Sequence, residues 1–352
     1  MLLGFRHFSF LNMKIDVSKF IRALKFEFLM YKKAGLAPTG FKIIRRRILS
    51  CFGVLQLEQV FICPSHECNA NCAHCYEKLP HHDSHKSLTN KEVKNIVDQS
   101  SRLGSKRVYL CSGEFLLRED ALDLVRYARS KNMIVSVTTN GLLLNEKKID
   151  ELKEAGLTIL IVSIDSANPS RHDELRGVKG CFEKARNGLR IAKEKGIITQ
   201  IWTYITKTNF NELESIAKMG KELGVENVYV FFPLLSGHLF NRFDENLTYE
   251  ERESFRKRFN GDPLVTLEFD KEETPCNGGG LLHACIMPTG DVTFCPPVPY
   301  SYGNIKSRSL RDCLKDVVKD HKKFSHCTGQ CIVNFPEYRT GCNAKYMYST
   351  DF

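Results

Sequence analysis

The sequence predicts an α/β fold, a partial barrel of six strand–helix units followed by a small cysteine-rich domain. Three observations carry this prediction. Apolar, β-rich runs alternate with helical patterns from about residue 54 to 260. The run Leu157–Ile164 is almost entirely apolar, as expected for a parallel strand covered on both faces. Near Cys276 the composition changes to one dominated by Cys, Gly and Pro.

The alternation resolves into six predicted strands and five predicted helices. The strands are Leu55–Ile62, Arg107–Cys111, Ile134–Val137, Thr158–Ile164, Thr199–Ile205 and Asn227–Phe232. The helices begin near Thr89, Arg118, Asn145, Gly180 and Asn211, and Thr89 with Glu92 has the spacing of a capping box. Such units predict a parallel sheet with right-handed crossovers and ligand contacts at the carboxyl ends of the strands. We divide the chain into residues 1–53, 54–262 and 263–352.

The charge of the chain is concentrated at its start. The formal net charge is +10, and residues 1–50 hold eleven Lys and Arg against two acids, Asp16 and Glu27. The remainder is nearly neutral, so we expect no nucleic-acid-binding surface. No apolar run approaches the roughly 18–20 residues of a membrane span, and the start does not resemble a signal peptide, so we expect a cytoplasmic protein.

The basic segment has two interpretations. Asp16 to Tyr31 has the periodicity of an amphipathic helix, and Gly35 is a plausible end for it. The helix either packs on the outside of the barrel with a solvated face or binds an anionic membrane or an anionic substrate. If the helix binds a membrane, the protein is peripherally membrane-associated.

Fourteen cysteines are the most unusual feature of the composition. Without an export signal, clustered cysteines are more often metal ligands than disulfides. Five cysteines have no close partner along the sequence and are predicted to be buried packing residues: Cys51, Cys63, Cys111, Cys181 and Cys313.

One cluster directly follows the first predicted strand. Cys68, Cys72 and Cys75 have the spacing CxxxCxxC on one short loop. Three thiolates can hold three irons of a [4Fe–4S] cluster and leave the fourth iron open to a non-protein ligand. The alternative is a zinc site, which would need a fourth ligand such as Cys63 or a nearby histidine.

This motif, after the first strand of a βα barrel, resembles the radical S-adenosylmethionine (SAM) superfamily. The resemblance implies a radical SAM partial (βα)6 barrel of the TIM type. It also implies that SAM chelates the open iron, and that one electron, supplied by a flavodoxin or ferredoxin, splits SAM to a 5′-deoxyadenosyl radical. That radical removes hydrogen from a substrate carbon.

Further segments resemble the parts of this family that hold SAM. The sequence from Cys111 to Arg118 is similar to the GGEP segment, so Glu114 is expected to hold the SAM amino group; alternatively it is a carboxylate at a helix N-terminus. Ser163, Asp165 and Arg176 match an SxD…RG stretch whose members approach the ribose, methionine or carboxylate parts of SAM. Asp165 has a second interpretation as a turn cap.

The cysteine-rich end resembles a SPASM domain, which carries auxiliary iron–sulfur clusters in many relatives. Cys276, Gly290 and Cys295 have the spacing that opens such a domain. The resemblance implies at least one auxiliary [4Fe–4S] cluster, with Cys276, Cys285, Cys295 and Cys342 as its ligands. Cys327 and Cys331 would hold a second, incomplete cluster or rearrange this assignment.

The expected function is therefore reductive cleavage of SAM and hydrogen abstraction from a substrate carbon. The substrate is either a peptide or protein side chain or a small molecule such as a sugar or lipid precursor. A non-catalytic iron–sulfur or zinc-binding protein is the alternative from another class.

Overall fold

The computed structural model describes residues 25–26, 28–35, 57–78, 87–232, 237–239, 242–268, 283–295, 300–323 and 345–346. Its main element is a nine-stranded sheet with the order β7-β6-β5-β4-β3-β2-β1-β8-β9. The strands are β1 (Gln59–Ile62), β2 (Arg107–Leu110), β3 (Ile134–Thr139), β4 (Ile159–Ser163), β5 (Ile198–Tyr204), β6 (Asn227–Phe231), β7 (Val265–Leu267), β8 (His283–Ile286) and β9 (Val292–Thr293). All six predicted strands are confirmed.

The helices follow the strands in alternation. They are α1 (Asn90–Arg102), α2 (Ala121–Ser130), α3 (Glu146–Glu154), α4 (Pro169–Arg176), α5 (Cys181–Glu194), α6 (Leu213–Leu223), α7 (Tyr249–Arg258) and α8 (Leu310–Lys323). Thr89 forms the predicted capping box with Glu92, because each side chain bonds the other residue's backbone. Asn145 caps α3, and Gly180 directly precedes α5. These starts match the predicted ones.

The two faces of the sheet are covered differently. On one face, Val60, Val108 and Val137 pack with residues of the helices in the main core. On the other face the strands carry aromatic side chains such as Phe61 and Tyr109. A doubly wound sheet is covered by helices on both faces, whereas a barrel keeps its helices outside. The helices that alternate with the strands pack in the core on one face, which agrees with the predicted partial barrel. The described strands form an open sheet rather than a closed ring.

Strands from the predicted third segment extend the sheet at both edges. β7 pairs in parallel with β6, and β8 pairs in parallel with β1, Phe61 lying opposite Cys285. β9 returns antiparallel to β8, with Gly290 (φ +94°) in the turn between them. A separate antiparallel pair joins β10 (Tyr300–Ser301) to β11 (Lys345–Tyr346). Of the described strands of residues 263–352, β7, β8 and β9 therefore belong to the same hydrogen-bonded sheet as the core.

The helical segment at residues 28–33 lies against the aromatic face of the sheet. Met30 (1% exposed) and Ala34 are buried among Ile134, Ile159 and other residues near the starts of the strands. Phe28 is 56% exposed. Gly35 has a left-handed backbone (φ +59°) directly after the helix, as predicted for its end. This part of the basic segment is therefore packed on the sheet, and the rest of the predicted helix lies outside the described residues.

Among the helices of the described residues, none is long and apolar enough to cross a bilayer.

The packing of residues 28–34 predicts a difference between two neighbouring apolar side chains. Met30→Ala removes a buried side chain and should lower the free energy of unfolding by about 2–5 kcal/mol. Phe28→Ala removes a mostly exposed one and should stay within about 0.5 kcal/mol of the wild type. Thermal unfolding of the full chain measures both changes. An equal, small shift for both variants would mean that the segment is not part of the folded body.

Candidate functional site

The three motif cysteines lie on a loop that leaves the carboxyl end of β1. Cys68, Cys72 and Cys75 are each partly exposed, and all three lie in the segment that follows β1. Burial raises the pKa of Cys68, and burial followed by the charge of Glu77 raises that of Cys75 to about 12. Coordination of iron therefore has to displace protons from this loop.

The segment after β2 holds the start of the loop. The Glu114 N–H donates to the carbonyl oxygen of Glu67 at 2.7 Å, and the Gly113 N–H donates to the carboxylate of Glu77 at 3.1 Å. Gly113 has φ +53°, and a Cβ there would lie 2.3 Å from the Glu67 carbonyl oxygen. Glycine is required at this position because the loop backbone passes directly against it.

The end of α4 holds the middle of the loop. The Asn71 and Ala73 N–H groups donate to the carbonyl oxygens of Arg176 and Leu175 at 3.0 and 2.9 Å. Gly177 ends α4 with φ +67°, and a Cβ there would lie 2.6 Å from the Asn71 carbonyl oxygen. The Arg-Gly pair named in the sequence thus forms part of the support of the cysteine loop.

A third contact, from residues that follow β6, holds the last cysteine of the loop. The His238 N–H donates to the carbonyl oxygen of Cys75 at 2.9 Å, and its ring Nδ1 lies 2.7 Å from the Cys72 carbonyl oxygen. Gly237 precedes it with φ +58° and has no room for a Cβ beside Cys75 and Tyr76. Sequence analysis did not find this pair, because it follows β6 and is about 160 residues from the motif.

Asp165 lies at the centre of a group of charged side chains that contact the cysteine loop. Its side chain is fully buried, and one carboxylate oxygen lies 2.7 Å from Arg176 Nη2 and 3.2 Å from His74 Nε2. The other oxygen accepts from the Tyr204 N–H at 2.9 Å. Burial opposes ionisation here, but the charges of Arg176 and His74 outweigh it and hold the pKa of Asp165 well below its usual range.

This network reaches one of the motif thiols directly. Arg176 Nη1 lies 3.6 Å from Cys72 Sγ, and the His74 ring stacks on Tyr204 at 5.1 Å. His74 stands inside the CxxxCxxC motif, and its place between two cysteines was the one sequence signal of this role. Asp165 and Arg176 are therefore engaged with the loop that carries the cysteines.

His172 binds the backbone of Asp165. Its Nδ1 accepts the Asp165 N–H at 3.2 Å. Burial, helped by the charge of Arg176, lowers the pKa of His172 to about 4. The ring is neutral at pH 7, which is the state in which one ring nitrogen can accept a hydrogen bond.

Glu114 lies deep in the site and is 1% exposed. Its carboxylate accepts from the Leu116 N–H at 3.1 Å, the Thr139 hydroxyl at 2.9 Å and the Asn140 N–H at 2.8 Å. Burial raises its pKa. The carboxylate caps the short 3₁₀ turn Phe115–Leu117, as one of the two interpretations expected, and ties that turn to the end of β3.

The end of β3 completes the cradle. The Asn140 side-chain NH₂ donates to the Asn69 side-chain oxygen at 2.7 Å and approaches Cys68 Sγ at 3.9 Å. Ser163 is the last residue of β4 and is partly exposed at the same edge of the sheet. Of the four predicted SAM contacts, Glu114, Asp165 and Arg176 are thus linked by hydrogen bonds or ion pairs to the cysteine loop, and Ser163, at the end of β4, is the most accessible of the four.

These residues fit a site-differentiated iron–sulfur cluster. The loop presents three partly exposed thiols, and its backbone is held by three left-handed glycines that leave no room for side chains. In the described part of the chain no three His, Cys, Asp or Glu side chains already converge as a finished metal site, and this includes the loop. The donor set is three sulfurs, which is one short of the four that a structural zinc site normally uses.

The predicted auxiliary ligands are only partly within view. Cys276, Cys327, Cys331 and Cys342 lie outside the described residues. Cys295 is partly exposed just after β9, whereas Cys285 is fully buried in β8. Their assignment to an auxiliary cluster stays a prediction.

Two cysteines predicted to have no close partner have one in the structure. Cys63 Sγ lies 3.7 Å from Cys111 Sγ and 3.6 Å from Cys285 Sγ, and all three thiols are buried. Hydrogen bonds from Cys111 and then Cys285 lower the pKa of Cys63 to about 6. The prediction that Cys63, Cys111, Cys181 and Cys313 are buried is confirmed, but isolation along the sequence does not mean isolation in the fold.

Known proteins share both the sequence and the fold of this chain. The family model of the radical SAM superfamily matches residues 62–220. An AdoMet-dependent heme synthase of Methanosarcina barkeri is 34% identical over 80% of this chain and 90% of its own length. The subtilosin biosynthesis protein AlbA of Bacillus subtilis is 25% identical over 82% of this chain and 67% of its own. Streptococcus suis SuiB, solved with S-adenosylmethionine, aligns at TM-score 0.64 and 16% identity over 90% of this chain and 79% of its own.

The close passage of the loop past Gly177 predicts an effect on iron content. Gly177→Ala meets the Asn71 carbonyl oxygen and should displace the loop, so that anaerobically reconstituted protein loses about four irons per chain. Gly224→Ala is the matched control. Gly224 also ends a helix with a left-handed backbone (φ +66°), but its Cβ would meet only Lys193 Cε at 3.5 Å.

Both substitutions carry the same backbone strain of about 1–2 kcal/mol. Iron analysis after desalting, together with the absorbance of the cluster, compares the iron content of the two variants. Equal iron content in the two variants would show that the approach of Gly177 does not position the loop.

Proposed function

Because the chain belongs to the radical SAM superfamily and is a radical SAM enzyme with a [4Fe–4S] cluster and SAM as cofactors, we propose that it abstracts hydrogen from a macrocyclic heme precursor. The observation that carries this proposal is the 34% identity to a heme synthase across nine-tenths of that protein. When bound, the cluster and SAM supply one electron and a 5′-deoxyadenosyl radical. A reduced flavodoxin or ferredoxin is the proposed electron donor.

The cysteine loop and its support are proposed to do two different things. Cys68, Cys72 and Cys75 hold the cluster. Asp165 and Arg176 fix the loop from below, and Arg176 places a positive charge beside Cys72. That charge lies at the edge where the carboxylate of SAM is expected.

Glu114 and Ser163 are proposed to contact SAM from the ends of β2 and β4. Three of the acceptor positions of the Glu114 carboxylate are already used within the protein, and a carboxylate has about four. One position is left for the SAM amino group. Ser163 is partly exposed at the same edge, so its hydroxyl can reach the ribose.

The aromatic face of the sheet supports a flat, apolar substrate. Phe61 stacks on Tyr109 at 4.5 Å, Tyr109 on Trp202 at 6.0 Å, and Trp202 meets Phe231 edge-on at 5.1 Å. Each of these rings is partly exposed although it belongs to a strand whose other face is fully buried. Aromatic rings favour offset stacking with other π-systems, and a porphyrin presents a large one.

A second candidate is a peptide substrate. AlbA takes part in the biosynthesis of a bacteriocin, and SuiB has been solved with its precursor peptide SuiA. Both similarities are weaker in sequence than that to the heme synthase. A peptide would use the same carboxyl-end edge of the sheet but has no particular need for the row of aromatic rings.

The proposal predicts which ligand stimulates SAM cleavage. Dithionite-reduced protein should release 5′-deoxyadenosine from SAM, and an iron porphyrin carrying propionate side chains should raise the yield above that seen without substrate. Trp202 is the single tryptophan of the chain, so quenching of its emission measures porphyrin binding. Stimulation by a peptide panel and not by the porphyrin would favour the second candidate.

Matched variants locate the binding face. Tyr229 continues the aromatic face, with its ring 6.1 Å from that of Trp202 and 4.7 Å from that of Phe231. Tyr229→Ala should weaken porphyrin binding by about tenfold, equivalent to one stacking contact. Tyr249→Ala removes a ring that is 51% exposed on α7 and should leave porphyrin binding unchanged.

Ser163→Ala should weaken SAM binding without loss of iron.

Peripheral membrane contact through the basic segment is a separate proposal. Phe28 remains exposed beside Lys25, Lys32 and Lys33 after Met30 and Ala34 have packed on the sheet. Each basic residue near an anionic surface contributes on the order of 1 kcal/mol, and salt screens it. Co-sedimentation of the full chain with anionic vesicles should fall at high salt and fall further in Phe28→Ala. Equal sedimentation of both proteins would exclude this contact.

A further inference from the structure

A carboxylate stands on the aromatic face of the sheet at the carboxyl end of β7. Thr266 of β7 lies opposite Tyr229 of β6, and the Glu268 N–H continues the ladder by donating to the Val230 carbonyl oxygen at 2.9 Å. Because side chains alternate along a strand, Glu268 lies on the same face as Thr266 and Tyr229. Glu268 is therefore placed at the end of the aromatic face, beside Phe231.

Arg252 reaches the same place from α7. Its guanidinium carbon lies 5.8 Å from the centre of the Phe232 ring, and Phe232 directly follows β6. The charge of Glu268 acts on that of Arg252, and so does the phenol of Tyr204, which ends β5 and stacks on His74. The two charged side chains therefore lie at the edge of the sheet that also carries the cysteine loop.

Both side chains carry a buried polar atom that no described residue satisfies. Glu268 Oε2 and Arg252 Nε are each shielded from solvent and lack a hydrogen-bond partner within the described part of the chain. Of the ion pairs between described residues, none includes Glu268 or Arg252, although Arg256 and Arg258 of the same helix each pair with a glutamate. Buried polar groups are normally satisfied, so two such atoms side by side indicate a place where a ligand completes the hydrogen bonds.

The charge of this pair indicates the kind of ligand. Burial raises the pKa of Glu268 to about 7, although the Phe232 N–H and the charge of Arg252 lower it. Burial, followed by the charge of Arg256, lowers the pKa of Arg252, but a guanidinium remains charged at neutral pH. When Glu268 is protonated, both groups are donors and the pair carries a single positive charge. The matching ligand is an anion with acceptor oxygens.

From this arrangement we infer that Arg252 and Glu268 form a subsite for a carboxylate of the substrate. The inference rests on the proposed function, because a porphyrin with propionate side chains presents carboxylates around a flat ring. The aromatic face receives the ring, and the subsite at its end receives one side chain. The subsite thus fixes the orientation in which the ring enters, and with it the side chain that lies nearest the cysteine loop.

The binding of two porphyrins to the full chain, with its clusters reconstituted and SAM added, tests the inference. The probes are an iron porphyrin with free propionates and the same porphyrin with its propionates as methyl esters. Quenching of Trp202 emission at about pH 6 measures both affinities. The free acid should bind about 10–100-fold more tightly, because only its carboxylates make charge-assisted hydrogen bonds to Arg252. Equal affinities would overturn the subsite and leave the porphyrin proposal standing, whereas no quenching by either probe would overturn both.

Variants of α7 locate the preference for the free acid. Arg252→Gln should reduce the affinity for the free acid to that for the ester. Arg258→Gln removes an exposed arginine of the same helix and should keep the preference. A preference that survives in Arg252→Gln would place the carboxylate elsewhere and would refute the inference. Arg252→Lys keeps the charge but loses the planar fork, so it should give an intermediate preference and replaces Arg252→Gln if that variant fails to fold.

The pH dependence of binding tests the part played by Glu268. In the wild type the affinity for the free acid should fall about tenfold from about pH 6 to about pH 8, because the neutral form of Glu268 is lost and its carboxylate repels the ligand. Glu268→Gln keeps a donor throughout this range, so its affinity should stay level. The ester carries no charge and should show no fall with either protein. An equal fall in the wild type and in Glu268→Gln would contradict the subsite.

Discussion

The buried ion pair between Asp165 and Arg176 is the interaction on which the candidate site depends. It joins the end of β4 to the end of α4, and through His74 and Cys72 it also reaches the cysteine loop. Removal of one partner from such a pair leaves an uncompensated buried charge at a cost of about 3–5 kcal/mol. The pKa of Asp165 is lowered, so the pair contributes stability above the ordinary pKa of an aspartate and loses it only in acid. Throughout the neutral range the loop therefore rests on a fixed charge arrangement.

The fold was largely predictable because its signals are local. Alternating apolar strands and helical patterns identified all six strands of the barrel, and the Thr89–Glu92 pair marked a helix start correctly. The spacing of Cys68, Cys72 and Cys75 likewise marked the loop. Spacing says nothing, however, about the direction in which a carboxylate faces. Asp165 and Glu114 were predicted to contact a ligand, and in the structure each uses most of its acceptor positions on groups of the protein itself, which the spacing did not indicate.

The contact of Cys63 with Cys111 and Cys285 shows where sequence reasoning ends. Cys63 and Cys111 each follow a strand directly, and the register of β1 and β2 places such positions side by side. That much follows from the ends of the two predicted strands. The approach of Cys285 was not available, because it depends on which edge of the sheet accepts β8. Contacts between residues 222 apart are decided by the docking of whole elements, which no short pattern encodes.

The two groups of cysteines differ in the properties that decide whether they can hold a cluster. The thiols of the loop are partly exposed and spread along eight residues, so they can surround a cluster and leave one position open to SAM. The thiols of Cys63, Cys111 and Cys285 are buried and in contact with one another, so they pack as small apolar side chains and leave no room for a cluster. Because strand ends fix their side chains against neighbouring strands, the same residue type serves as packing in the sheet and as a candidate ligand in the loop. The parallel sheet places the buried thiols at its strand ends and the cysteine loop beyond them, and so keeps the two groups apart.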